Sequence, residues 1–205
     1  MIAVVDYGVG NLYSLTCSLR RIGAQATVTR EESELRQAEK IILPGVGAFG
    51  DAADKLRSLR LDALLSDQAA LGKPLLGVCL GMQLLFDKSE EYGTHAGLGM
   101  IHGRIKPLAP QVGTLKVPHM GWNSVAFAPG DPVSRDFEAE PHQFYFVHSY
   151  YTAPTDDSIV WGRTEYGGKS FVSAVRRGRC YATQFHPEKS QADGLKLYRN
   201  FLDTL

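Results

Sequence analysis

A chain of 205 residues, 44% hydrophobic and 21% charged, has the length and composition of one ordinary α/β globular domain. Its 22 basic and 22 acidic residues balance, which leaves no net field for nucleic acid or an anionic membrane surface. No apolar run approaches the roughly 18 residues of a membrane span.

The start, Met1-Ile2-Ala3-Val4-Val5-Asp6, reads as a strand and not as a signal peptide. It runs into Asp6-Tyr7-Gly8-Val9-Gly10-Asn11 and then a helix with apolar residues at Leu12, Leu15, Leu19 and Ile22, stopped by Gly23. The third glycine of a dinucleotide fingerprint would fall at Tyr13, so this is read as a tight strand-to-helix turn and not as a nucleotide site. Ala26-Thr27-Val28 is a second strand and Lys40–Leu43 a third. Pro44-Gly45-Val46-Gly47-Ala48-Phe49-Gly50 then opens one long helix reaching about Ala70. A loop this rich in glycine can turn its amides inward to hold an anion, and one strand before a nucleophile that anion is a developing oxyanion.

The nucleophile comes next. Leu75–Val78 is a short apolar run for a buried strand, and Met82, Leu85 and Phe86 have helical spacing. Between them, Gly77-Val78-Cys79-Leu80-Gly81 places a glycine two residues to either side of a cysteine. That is the nucleophile elbow, with cysteine in the place of serine. The turn is so tight that a Cβ at either flank would collide with neighbouring backbone, and it aims the sulfur at the start of a helix. A lone cysteine is ordinarily just a buried apolar side chain. The strand-elbow-helix context selects the nucleophile instead.

From about Gly99 the pattern changes. Short alternating or aromatic runs at 101–105, 115–118, 122–127, 144–151, 159–165, 170–175 and 180–185 are separated by turn residues. With no linker before them, they read as antiparallel strands added to the same domain. Residues 192–205 close the chain as an amphipathic helix carrying Leu195, Tyr198 and Leu202. The expected fold is therefore α/β: a mostly parallel sheet flanked by helices, with added antiparallel strands in the C-terminal half and the site at the carboxyl ends of the strands. Cys17, Cys79 and Cys180 are too scattered for a disulfide frame or a zinc site, which points to reduced thiols in a cytosol and to no metal.

A cysteine nucleophile needs a base, and the base an orienting partner. Of His95, His102, His119, His142, His148 and His186, the last stands out, at the end of a strand in Gln184-Phe185-His186-Pro187-Glu188. Pro187 keeps His186 extended, and Glu188 can reach around the turn to the imidazole. The other five read as surface or satisfied core residues.

Pro-Gly-Val-Gly at 44–47, Gly-Val-Cys-Leu-Gly-Met-Gln at 77–83 and Gln-Phe-His-Pro-Glu at 184–188 resemble, in order and spacing, the three signatures of the class I (triad-type) glutamine amidotransferases. The segments 6–11, 118–123 and 145–150 narrow the resemblance to the glutaminase subunits of imidazole glycerol phosphate synthase, and away from those of anthranilate or aminodeoxychorismate synthase. Val9 departs from the proline that many relatives carry in the first of these.

The resemblance implies glutamine hydrolysis by Cys79, His186 and Glu188, with an oxyanion hole from the amides of Leu80 and of the Val46-Gly47 loop. It places Gln83, Glu91, Ser149 and Tyr150 around the α-amino and α-carboxylate groups of glutamine. It also implies a heterodimer with a (β/α)8 barrel synthase subunit that takes up the ammonia, with Asn11, Met120, Trp122, Tyr145 and Lys189 facing that partner. It implies no cofactor. Hydrolysis is expected to be stimulated when the partner holds its acceptor.

Overall fold

The computed structural model describes residues 1–137 and 142–205. Its first half alternates strand and helix: β1 (Ile2–Val5), α1 (Leu12–Arg21), β2 (Ala26–Thr29), α2 (Glu32–Gln37), β3 (Lys40–Leu43), α3 (Phe49–Ser58), α4 (Leu61–Ala70), β4 (Leu75–Val78) and α5 (Leu80–Leu84). The strands pair in parallel in the order β2-β1-β3-β4. Every residue of β1 and β4 is buried, as a continuous apolar run requires when helices cover both faces. The two-residue period divides them between two cores. Ala3, Val5, Ile41 and Leu43 pack under α2, α3 and α4, whereas Ile2, Val4 and Ile42 pack with Leu15 and Leu19 of α1.

The single helix expected from residue 49 to 70 is two helices. Phe49, Ala52, Ala53 and Leu56 are buried at helical spacing, but the next buried residue, Leu61, lies five positions on. In an unbroken helix that step would rotate Leu61 by roughly 140° from Leu56. Arg60, at φ 58°, instead takes the left-handed conformation and restarts the helix with Leu61, Leu64 and Leu65 inward. The helix after Cys79 is also shorter than its spacing suggested: Phe86 already begins a strand.

The second half continues with β5 (Phe86–Ser89), β6 (His95–Ala96), β7 (Ile101–Pro107), α6 (Ala109–Val112), β8 (His119–Ser124), β9 (Ala126–Phe127), β10 (Gln143–His148), β11 (Tyr150–Pro154), β12 (Val160–Tyr166), β13 (Lys169–Arg177), β14 (Cys180–Thr183) and α7 (Gln191–Thr204). Among the described residues, twelve strands make one sheet in the order β2-β1-β3-β4-β14-β13-β11-β7-β5-β6, with β12 beside β13 and β9 beside β12. β8 and β10 form a separate antiparallel ribbon. The sheet is thus parallel over its first half and carries added antiparallel strands beyond, as expected, although β5 and β7 pair in parallel.

Four details differ from the sequence reading. β14 is not an added antiparallel strand with respect to the parallel core: it lies parallel to β4, Cys180 against Leu75 and Thr183 against Val78. Residues 115–118 are irregular, and β8 begins only after Pro118, which has no N–H to give to a ladder. The run 144–151 divides at Ser149 into β10 and β11, which belong to different sheets. In α7 the core contacts are Leu197, Tyr198 and Phe201, with Leu195 and Leu202 only partly buried. Among the described residues no helix is long and apolar enough to cross a membrane.

Candidate active site

Cys79 follows β4 at φ 54°, ψ −110°, a conformation sparsely populated by non-glycine residues and tolerated here because its surroundings fix it. The flanking glycines are required by contact. A Cβ on Gly81 would lie 1.9 Å from the Leu43 carbonyl oxygen, and one on Gly77 would lie 3.0 Å from that of Gly81. Gly45 is held as closely, since its Cβ would meet the Tyr7 hydroxyl at 2.6 Å and the Gly81 nitrogen at 2.9 Å. The loop from Pro44 therefore packs directly on the elbow, and the Tyr7 hydroxyl donates to the Pro44 carbonyl at 2.8 Å.

The parallel pairing of β14 with β4 brings the ends of both strands side by side, and the Cys79 amide donates to the Thr183 carbonyl at 2.7 Å. His186, three residues beyond Thr183, thereby reaches the elbow. It has φ −104°, ψ 96°, the extended shape that a following proline imposes. Its Nδ1 lies 2.7 Å from Glu188 Oε1. The carboxylate can only accept, so Nδ1 carries the proton and Nε2 is the working nitrogen. Nε2 is buried and has no hydrogen-bond partner. Burial pulls the His186 pKa down, but the charges of Cys79 and Glu188 outweigh it and lift it to about 10.

A cavity of 280 Å³ opens over Cys79 and His186. Every other residue expected to touch oxyanion or substrate lines it: Val46, Gly47, Leu80, Gln83, Glu91, Ser149 and Tyr150. Gly47, at φ 95°, leaves open space where a Cβ would project. Glu91 also has a task in the fold, because its Oε2 accepts from the Phe49 amide at 2.6 Å, where the N-cap residue Ala48 provides no side-chain cap.

A family pattern described as "Glutamine amidotransferase class-I" matches residues 3–205. The chain belongs to the class-I glutamine amidotransferases. Relatives named "Imidazole glycerol phosphate synthase subunit HisH" include those of Rhodopirellula baltica (47% identical, covering 98% of this chain and 96% of the relative) and Bacillus subtilis (43%, covering 98% and 95%). Among solved structures, "Crystal structure of glutamine amidotransferase" aligns at TM-score 0.77 and 19% identity over 99% of this chain and 98% of that one. "Structure of PurLQS from Thermotoga maritima" aligns at TM-score 0.77 and 20% identity, covering 99% and 97%; both likenesses are of fold.

In this amidotransferase four of the residues expected to face a partner lie on or beside the β8–β10 ribbon. Met120 and Trp122 of β8 are 62% and 47% exposed, and the Trp122 ring meets Tyr145 of β10 edge-on. Lys189 stands 5.5 Å over the Tyr145 ring. Asn11 serves locally as the N-cap of α1, its side chain accepting from the Ser14 amide at 3.2 Å.

Three neighbours of the site went unread in the sequence. Tyr198 of α7 donates to Glu188 Oε2 at 3.2 Å, so both carboxylate oxygens are held. His148 lines the cavity, gives Nδ1–H to the Tyr150 carbonyl (2.8 Å) and accepts at Nε2 from His119 Nδ1 (3.0 Å). Gln184 is wholly buried, with its amide nitrogen 3.7 Å from Cys79 Sγ. Gln184 stands in the Gln184-Phe185-His186-Pro187-Glu188 run, but β14 ends at Thr183, so no strand period set its side chain against the sulfur.

Proposed function

We propose that the chain is the glutaminase subunit of an imidazole glycerol phosphate synthase, releasing ammonia from glutamine with Cys79, His186 and Glu188. The observation that carries this reading is His186 itself, bound through Nδ1 to a doubly held carboxylate with a buried, unpaired Nε2 beside the elbow cysteine. Cys79 Sγ attacks the side-chain carbonyl carbon of glutamine. Amides of Leu80 and of the Val46-Gly47 loop hold the oxyanion. The His186 imidazolium protonates the departing nitrogen, and ammonia leaves a thioester. His186 Nε2 then takes a proton from water, which displaces the thiolate as glutamate forms. Gln83, Glu91, Ser149 and Tyr150 hold the α-amino and α-carboxylate groups.

Ammonia passes to a (β/α)8 barrel synthase subunit docked over Asn11, Met120, Trp122, Tyr145 and Lys189. There it enters the phosphoribosyl-bearing acceptor, giving imidazole glycerol phosphate and aminoimidazole carboxamide ribotide in histidine biosynthesis. The chain and partner act as a cytoplasmic heterodimer. The names of relatives 43–47% identical over nearly the whole chain support this reading over the other glutaminase subunits.

The test is peptide mapping by mass spectrometry after exposure to an electrophilic glutamine analogue, with the chain alone and with the barrel subunit plus its acceptor. Modification confined to Cys79, and faster in the liganded complex, is the expected result. Reaction at Cys17 or Cys180 with Cys79 untouched would overturn it.

A further inference from the structure

We propose that Gln184 is a catalytic residue whose side-chain amide donates to Cys79 Sγ and holds the nucleophile as a thiolate. This rests on the glutaminase reading above and adds a residue to it. The sulfur has two polar neighbours besides the histidine: Gln184 Nε2 at 3.7 Å and the Val147 carbonyl at 4.0 Å. The first is a donor, and it favours the thiolate, a far stronger acceptor than the thiol sulfur. The second can receive only a thiol proton, and it is the longer contact.

What makes the donor unambiguous is the way the Gln184 amide is oriented. The Tyr150 carbonyl oxygen can only accept, and Gln83 Nε2 donates to it at 3.2 Å. The other hydrogen of Gln83 Nε2 goes to Gln184 Oε1 at 2.9 Å. With its oxygen fixed there, Gln184 must turn its nitrogen toward the sulfur. The Tyr150 carbonyl is held in turn by His148 Nδ1–H, and the Gln184 backbone amide donates to the Ser173 carbonyl at 2.8 Å. Every link is buried or partly buried, so water cannot replace the donor cheaply. Other titratable groups around the sulfur are His186 after β14, Tyr7 after β1, and Glu91, His148 and Tyr150 on the cavity wall.

The experiment compares wild type, Gln184→Asn and Gln184→Met as full chains. Cys79 alkylation by iodoacetamide is followed against pH with the adduct mapped to the peptide, and glutamine turnover is measured with the liganded barrel subunit. Losing a donor to a thiolate is expected to raise the alkylation midpoint by about one pH unit in both variants. At pH values well below both midpoints the rate then falls about tenfold, and kcat falls with KM within about threefold. Should Gln184→Met fail to fold, Gln184→Asn decides, because it keeps a neutral amide in the site and only withdraws the donor from the sulfur. Folded variants whose alkylation profile and kcat superimpose on wild type would overturn the proposal and leave Gln184 a packing residue. A wild-type complex that hydrolyses no glutamine counts against the glutaminase reading, while the alkylation profile of the chain alone still decides this one.

Discussion

His119 and His148 form a buried pair in which every ring nitrogen has a partner. Asn123 Nδ2 lies 3.2 Å from His119 Nε2, His119 Nδ1 bonds His148 Nε2, and His148 Nδ1 bonds the Tyr150 carbonyl. Each proton is assigned once the carbonyl is taken as acceptor, and both rings are neutral. His119 is further stacked between Phe146 at 4.8 Å and Tyr166 at 4.2 Å. Burial therefore pushes the pKa of His119 down to about 4 and that of His148 to about 3. In the unfolded chain both titrate near 6.5. Between about pH 6.5 and 4 the unfolded state thus binds more protons than the folded one, and stability falls as pH falls. Urea titrations at pH 7, 6 and 5 should show the midpoint dropping stepwise over a range where most carboxylates are still ionised. A midpoint unchanged from pH 7 to 5 would mean that the pair charges freely within the fold.

Among the elements, the elbow was legible because its geometry leaves so few residue choices. Two glycines around a cysteine, between an apolar run and a helical period, could be read locally, and the 1.9 Å approach of a Gly81 Cβ to the Leu43 oxygen is the reason. That oxygen belongs to Leu43, wholly buried at the end of β3, and has nowhere to go. Gly81→Ala is expected to destabilise the fold by about 3 kcal/mol or more, at the upper end of overpacking effects. Gly77→Ala, whose Cβ would sit 3.0 Å from its nearest atoms, should cost clearly less. Denaturant midpoints of the two variants give the order, and a Gly81→Ala protein as stable as wild type would show that the contact relaxes. What could not be read was pairing. A short apolar and aromatic run marked a strand at 180–185 but says nothing of its neighbours, so the parallel place of β14 beside β4 was missed. Gln184 and Tyr198 were obscured for the same reason: their partners at Cys79 and Glu188 lie across the fold or on another element.

At the scale of the molecule, the β8–β10 ribbon joins a candidate docking face to the chemistry. Along β10 burial alternates, with Phe144, Phe146 and His148 inward and Tyr145 and Val147 less covered. The register sets Tyr145 opposite Trp122 and Val147 opposite Met120. The backbone of the same two β10 residues reaches the site: the Tyr145 carbonyl accepts the His186 amide at 2.9 Å, and the Val147 carbonyl is the long contact of the Cys79 sulfur. A partner pressing on Trp122 would therefore bear on a ribbon that supports both the base and the nucleophile. Exposed aromatic anchors of this kind commonly dominate an interface. Trp122→Ala is expected to weaken association with the proposed barrel subunit by roughly thirtyfold, equivalent to about 2 kcal/mol. Trp122 is nearly half exposed, so the thermal unfolding of the free chain should move by no more than a few degrees. Titration of the barrel subunit against both forms, read by calorimetry, decides the matter. Undiminished affinity would move the docking face away from the ribbon, and with it the route by which a bound acceptor could reach Cys79.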